Sequence, residues 1–421
     1  MPGWAAARAS KRDRGLLRLL QRRALRYFLD NQGADGLVQD RQANLGPTRQ
    51  AGPLSISATG MGLIAVSLAS ASPYRLIPHR DAVSRVRAAL DTALERLPVD
   101  HGIFPHFVDR NSLKPLGEDT FSTVDTSWLL AGALWAASFL RDGKLVDLAG
   151  QLYDRVDWRY WSVASETETP WLIRHGKGPG GEFLPCSWDR ANGETLMMYV
   201  LAAGAADDRA LPGESWKSLR PFYGEVAGHR FNNADLGLFV FQYGLDLLDL
   251  SRWRTPDGPD LVAEASVATL ANRDACRASA DRFRTYRRHW GISAGDGPGH
   301  PAGLDAYNDY SPAKALDGTA HLTATLASIA HQPDAVLDNV RSAMASDRTS
   351  PLGRYGLSCV NDDRAWIARD MVGIDSGAAA LALDNVLMED RVRAVFHELP
   401  CVRKGLERLG FRDAADVRRA S

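Results

Sequence analysis

Apolar residues recur along this chain in two ways. Some segments carry them on one helical face only, others almost all round, and the two kinds alternate. Residues 15–30 open the series, with leucines interrupted by arginines after a basic tail over 1–14. Residues 55–71 are small and apolar throughout, which predicts a helix enclosed on every side and begun by Ser55 or Ser57. Residues 81–97 are amphipathic, with Val83, Val86, Leu90 and Leu94 facing inward and arginines outward. An almost wholly apolar segment follows at 122–139, then an amphipathic one at 144–156. Leu196, Tyr199, Val200 and Ala203 fall at i, i+3, i+4 and i+7 of the next helix. Further helical segments are predicted at 213–223, 236–250, 260–280, 319–330, 335–345, 376–388 and 391–409, with short β-like pieces at 101–108 and 354–360. No βαβ alternation and no short fixed repeat occurs. Alternating enclosed and amphipathic helices fit two concentric rings. The expected fold is all-α, an (α/α)6 barrel with short β pieces in its loops, formed by one domain over 15–412 with tails at 1–14 and 413–421.

Composition narrows the possible functions. The 421 residues include 50 basic and 51 acidic side chains, a net charge of -1, which argues against nucleic acid as a partner. No stretch of about 20 apolar residues occurs, and the first residues lack an apolar signal core, so a cytoplasmic protein without a membrane span is expected. Cys186, Cys276, Cys359 and Cys401 are far apart and form no CxxC pair, which suggests neither zinc nor a disulfide framework. His106, His300 and His321 stand alone without HExxH spacing, and no metal or cofactor is expected. The Gly-rich stretch at 290–299 lacks a GKS/T ending, so it does not suggest a phosphate cradle. Trp158, Trp161, Trp171, Trp188 and Trp290 lie in polar, loop-like contexts. Core packing accounts for any one of them, although aromatic faces in a cleft also suit the C–H-rich faces of sugars.

The centre of the chain is Ser187-Trp188-Asp189-Arg190-Ala191-Asn192-Gly193-Glu194-Thr195, leading into the helix of Leu196. A glutamate at a helix start can be no more than a partner for the helix dipole. Its significance changes with the company it keeps. Gly36-Leu37-Val38-Gln39-Asp40-Arg41, Ser55-Ile56-Ser57-Ala58-Thr59-Gly60, Ser122-Thr123-Val124-Asp125-Thr126, Gly193-Glu194-Thr195-Leu196-Met197-Met198-Tyr199, Trp290-Gly291 with Asp296-Gly297-Pro298-Gly299, and Gly373-Ile374-Asp375-Ser376-Gly377 follow one another between residues 16 and 412. In this order they resemble the bacterial endo-β-1,2-glucanases and the cyclisation domain of cyclic β-1,2-glucan synthases, a group often labelled glucoamylase-like.

The resemblance implies the (α/α)6 barrel independently of helix periodicity. It also implies catalytic roles: Glu194 as general acid and Asp375, 181 positions later, as base. Asp125 matches a family carboxylate lining the cleft, although beside Ser122 and Thr123 it is equally suited to capping a helix. Asp40 and Arg41 are either a sugar-binding pair or an ion pair locking a loop. Further substrate contacts are expected from Trp188, Gln242, Tyr243, Trp290 and Asp296. The chain departs from the family where His-Gln-Tyr-Ser-His becomes Phe241-Gln242-Tyr243-Gly244-Leu245, where Ile-Asp-Gln-Gly-Pro becomes Ile374-Asp375-Ser376-Gly377-Ala378, and where Asp384-Asn385 replaces Glu-Asn. It is identified as a divergent member.

The implied activity is that of a glycoside hydrolase on β-glucan, foremost an endo-β-1,2-glucanase working by inversion. The alternatives are an anomer-retaining β-1,2-glucan transglycosylase and a glycan-binding protein on an inactive scaffold. Retention of both Glu194 and Asp375 speaks against the last, and the absence of an attached synthase favours hydrolysis.

Overall fold

The computed structural model describes residues 10–49, 52–163, 170–254, 258–299, 305–345 and 350–413. His300 and the outer parts of both expected tails lie outside them. Twelve α-helices occur among the described residues: α1 (Lys11–Asn31), α2 (Ile56–Ser70), α3 (His79–Glu95), α4 (Thr123–Leu140), α5 (Gly143–Asp154), α6 (Gly193–Gly204), α7 (Leu261–Ala278), α8 (Leu322–Ala327), α9 (Pro333–Met344), α10 (Gly373–Leu387), α11 (Arg391–Glu398) and α12 (Pro400–Arg408).

The packing separates them into two layers. α2 packs on α4, α4 on α6, α8 on α10, and α10 back on α2. Between α6 and α8 the ring is completed by a 3-10 turn, Leu238–Phe241, which touches both. These elements are buried nearly all round, so the apolar stretches of the sequence form the inner ring. The amphipathic helices back them from outside: α1 on α10, α3 on α2, α5 on α4, α12 on α6, α7 on the 3-10 turn and α9 on α8. This is the (α/α)6 barrel that the alternation predicts. α2 and α4 pack backbone to backbone, since a Cβ on Gly132 would meet the Gly60 carbonyl oxygen at 2.0 Å.

Several boundaries differ from expectation. α1 starts four residues early, so residues 11–14 belong to a helix and not to a loose tail. Ser10 caps it by accepting from the Asp13 N–H at 3.1 Å, and Asp13 is fixed by Arg341 at 2.8–2.9 Å. The expected helix at 236–250 shrinks to the 3-10 turn. Gly244 has φ +77 there, and a Cβ on it would meet the Gly193 carbonyl oxygen at 1.9 Å. The chain turns at this glycine to lie against the start of α6, which a continuous helix could not do. Residues 213–223 form a 3-10 turn, Gly213–Ser218, followed by the hairpin Tyr223–Val226/His229–Asn232. The expected β piece at 354–360 is reduced to Val360–Asn361, and the helix at 391–409 is divided at Leu399–Pro400, where proline removes an N–H. The Gly-rich stretch contains one strand of the hairpin Gly295–Pro298/Asp305–Asn308. Trp158 and Trp161 are fully buried and belong to the core. No described helix is long and apolar enough to cross a membrane.

Candidate active site

The first turns of the inner helices bring the candidate carboxylates into one region. Ser57 lies at the start of α2, Asp125 of α4, Glu194 of α6 and Asp375 of α10. Each helix start carries partial positive charge and unsatisfied N–H groups, which suit acidic side chains. Helix α6 is capped by Asn192, whose side chain accepts from the Thr195 N–H at 2.9 Å, and this fixes Glu194 one residue inside the helix.

Glu194 Oε1 accepts from the Trp128 indole N–H at 2.7 Å. The Trp128 ring stands edge-on to Tyr243 at 5.9 Å, so α4 and the 3-10 segment both wall in the carboxyl. Burial raises the Glu194 pKa from 4.5 to about 7; the Trp128 bond opposes the rise and the charge of Asp125 adds to it. The side chain is only partly hidden from solvent, so it is recessed among protein atoms without being sealed.

Asp375 is buried, and its Oδ1 has no hydrogen-bond partner among the described residues. Burial pushes its pKa well above the usual carboxylate value; the charges of Asp296 and Asp40 add to this and Arg41 opposes it. The strand Arg41–Ala43 pairs antiparallel with Asp370–Val372, immediately ahead of α10, so Arg41 lies opposite Val372. The Gly373 N–H donates to the Asp40 carbonyl at 2.6 Å. Arg41 Nη1 reaches both carboxylate oxygens of Asp296, at 3.2 and 3.3 Å, while its Nε is 3.5 Å from Asp40. Asp40, Arg41 and Asp296 thus form one polar cluster beside Asp375. Burial raises the Asp40 pKa as well, with Arg41 opposing.

The charges of both catalytic candidates reach Tyr243. It is 9% exposed and its hydroxyl has no hydrogen-bond partner among the described residues. Burial raises its pKa, followed by the charges of Asp375, Tyr307 and Glu194. Asp125 is fully engaged: Ser57 and Ser122 both donate to it, and His106 Nε2 is 3.8 Å away. Trp188 stacks on His175 at 4.0 Å and donates to Thr123 Oγ1 at 3.0 Å, at the start of α4.

Two candidates occupy structural positions. The Gln242 amide donates to the Ala324 carbonyl and to Ser328, tying the 3-10 segment to α8. Trp290 is 6% exposed, with its backbone held by Asn339 and Thr325, so it packs as core without offering a face to solvent. Phe241 and Leu245, at the positions of the family histidines, are buried apolar residues. Trp128 and Tyr307 were missed in the sequence. Trp128 lies in an apolar helix where nothing distinguishes it from core, and Tyr307 lies in a segment without helical periodicity. Among the described residues no group of three or more His, Cys, Asp or Glu side chains is arranged to hold a metal ion.

A family model described as "Glycoamylase: Putative glucoamylase" matches residues 185–400, a span that includes Glu194 and Asp375. No curated protein matches the chain. Among solved structures it is similar to a putative glucoamylase from Bacteroides uniformis ATCC 8492, with a TM-score of 0.82 and 20% identity over 96% of this chain and 99% of that one. An endo-β-1,2-glucanase from Chitinophaga pinensis, in complex with sophorotriose and glucose, gives a TM-score of 0.81 and 20% identity over 95% and 99%. The endo-β-1,2-glucanase from Talaromyces funiculosus with sophorose gives 0.65 and 12% identity over 99% and 93%. The likeness to these structures is one of fold.

Proposed function

Because this chain belongs to the Glycoamylase family, whose model covers residues 185–400, we propose that it is a glycoside hydrolase cleaving β-1,2-glucan within the chain. Glu194 is the general acid and Asp375 the base. The observation that carries this reading is the Glu194 carboxyl, held by the Trp128 indole N–H with a pKa of about 7. Near neutral pH a large fraction is protonated and able to donate, as protonation of a departing sugar oxygen requires. The likeness of fold to endo-β-1,2-glucanases from two organisms supports this choice of substrate.

In this mechanism Glu194 gives its proton to the glycosidic oxygen as the bond to the anomeric carbon breaks. Asp375 takes a proton from the water that attacks that carbon from the opposite face. The unpartnered Oδ1 of Asp375 is the atom available to that water. The base must be ionised; burial, then the charges of Asp296 and Asp40, favour the protonated form, and Arg41 opposes them. Asp40, Arg41, Asp296 and the Tyr243 hydroxyl offer hydrogen-bonding groups for sugar hydroxyls. Asp125 and Trp188 belong to the same wall through Ser57, Ser122 and Thr123.

Incubation with linear and cyclic β-1,2-glucans, followed by thin-layer chromatography, tests the reading. Shortened linear oligosaccharides are expected. Intact chains refute it, and products longer than the substrate indicate a transglycosylase instead.

A further inference from the structure

Tyr307 is 47% exposed, one of few large aromatic side chains so placed. A lone exposed aromatic residue needs no explanation in itself. Its position distinguishes it. In the hairpin Gly295–Pro298/Asp305–Asn308, Tyr307 lies directly opposite Asp296. Residues opposite each other in an antiparallel pair project from the same face. Asp296 on that face is bound to Arg41, and it lines a small cavity together with Asp370 and Asp375. The Tyr307 ring therefore stands on the Asp375 side of the carboxyl pair. Burial first, then the charges of Asp375, Asp40 and Asp296, raise its pKa, which agrees with the register in placing the phenol near these carboxylates, while nearly half of the residue stays exposed. A half-exposed ring beside carboxylates contributes little to the core.

We propose that the face of Tyr307 is a stacking platform for the glucosyl unit lying against Asp375. The inference rests on the glucan reading and deepens it by naming the residue that holds one sugar ring. The C–H-rich face of a pyranose would cover the exposed ring face, removing apolar surface of both from water. The adjacent polar cluster would engage the hydroxyls at the ring's edge. A ring fixed in this way presents its anomeric carbon to the Asp375 side at little entropic cost.

The test compares Tyr307→Ala with Tyr307→Phe. Both should melt close to wild type, because the ring is half-exposed on a hairpin. With β-1,2-gluco-oligosaccharides, Tyr307→Ala is expected to raise KM by about tenfold, the loss of roughly one favourable stacking contact, with kcat within about twofold. Titration calorimetry in a Glu194→Gln background should show the same loss of affinity, and Tyr307→Phe should bind as its parent does. The platform is overturned if Tyr307→Ala binds like its parent, or if Tyr307→Phe loses as much as Tyr307→Ala. Failure of the hydrolase reading is separable. If the wild type leaves β-1,2-glucan intact, electrophoresis through gels containing β-1,2-, β-1,3- or β-1,4-glucan decides. Retardation lost in Tyr307→Ala supports the platform; retardation unchanged in that variant, or absent in the wild type, overturns it.

Discussion

Glu194→Gln is expected to lower kcat on β-1,2-glucan by about two to four orders of magnitude, the usual worth of acid–base assistance, and to melt at a higher temperature than wild type above pH 7. The first effect follows because glutamine keeps the shape and can still accept from Trp128, but has no proton to give. The second follows from the pKa of the glutamate. Its folded pKa of about 7 lies above the ordinary 4.5. The contribution of this group to stability is therefore fully present below pH 4.5 and is lost as pH rises through 7, where a recessed carboxylate must be ionised. The loss is at most about 3 kcal/mol at pH 8, and less in practice, because the partly exposed side chain is screened by solvent. Melting curves of the two proteins should accordingly converge below pH 4.5 and separate above 7. A structural glutamate gives the opposite: a lower melting temperature with turnover per folded molecule preserved. In the active enzyme the same pKa sets the alkaline limb of the pH–rate profile near pH 7, since the acid must be protonated.

Asp375→Asn is expected to reduce kcat by a similar factor of about two to four orders of magnitude, with KM nearly unchanged, as for a group acting mainly in the transition state. The carboxylate is buried among Asp296, Asp40 and Arg41, with Oδ1 unpartnered, so asparagine fits the same space and relieves the repulsion from Asp296 and Asp40. Loss of fold is not the expected outcome. Because burial raises the Asp375 pKa well above the usual value, the acid limb of the wild-type profile should lie above the ordinary carboxylate range. Kinetics at several pH values in matched buffers check both points. An acid limb below pH 4 would remove Asp375 from the role of base.

The barrel was legible because its inner helices have no wet face. α2 and α4 are small and apolar at almost every position, and a helix of that kind has nowhere to go except between neighbours. Glu194 and Asp375 were legible only through resemblance, since each is one acid among 51 and only the closed ring brings their helix starts together. The 3-10 segment was missed because its end depends on a contact distant in sequence. Gly244 turns against Gly193, and local periodicity carries no sign of that. Trp290 has polar neighbours in sequence, but elements distant in the chain enclose it: it is buried, with its backbone held by Asn339 and Thr325. The reverse holds for Tyr307, whose exposure follows from the register of a hairpin, a property that a two-strand pattern this short does not encode.

Proton NMR of the first product released from a linear β-1,2-glucan tests the central claim most directly. A general acid at Glu194, with Asp375 activating water on the opposite face, predicts the α-anomer first, followed by mutarotation to the equilibrium mixture. The β-anomer appearing first would contradict it, and would make one of the two carboxylates a nucleophile.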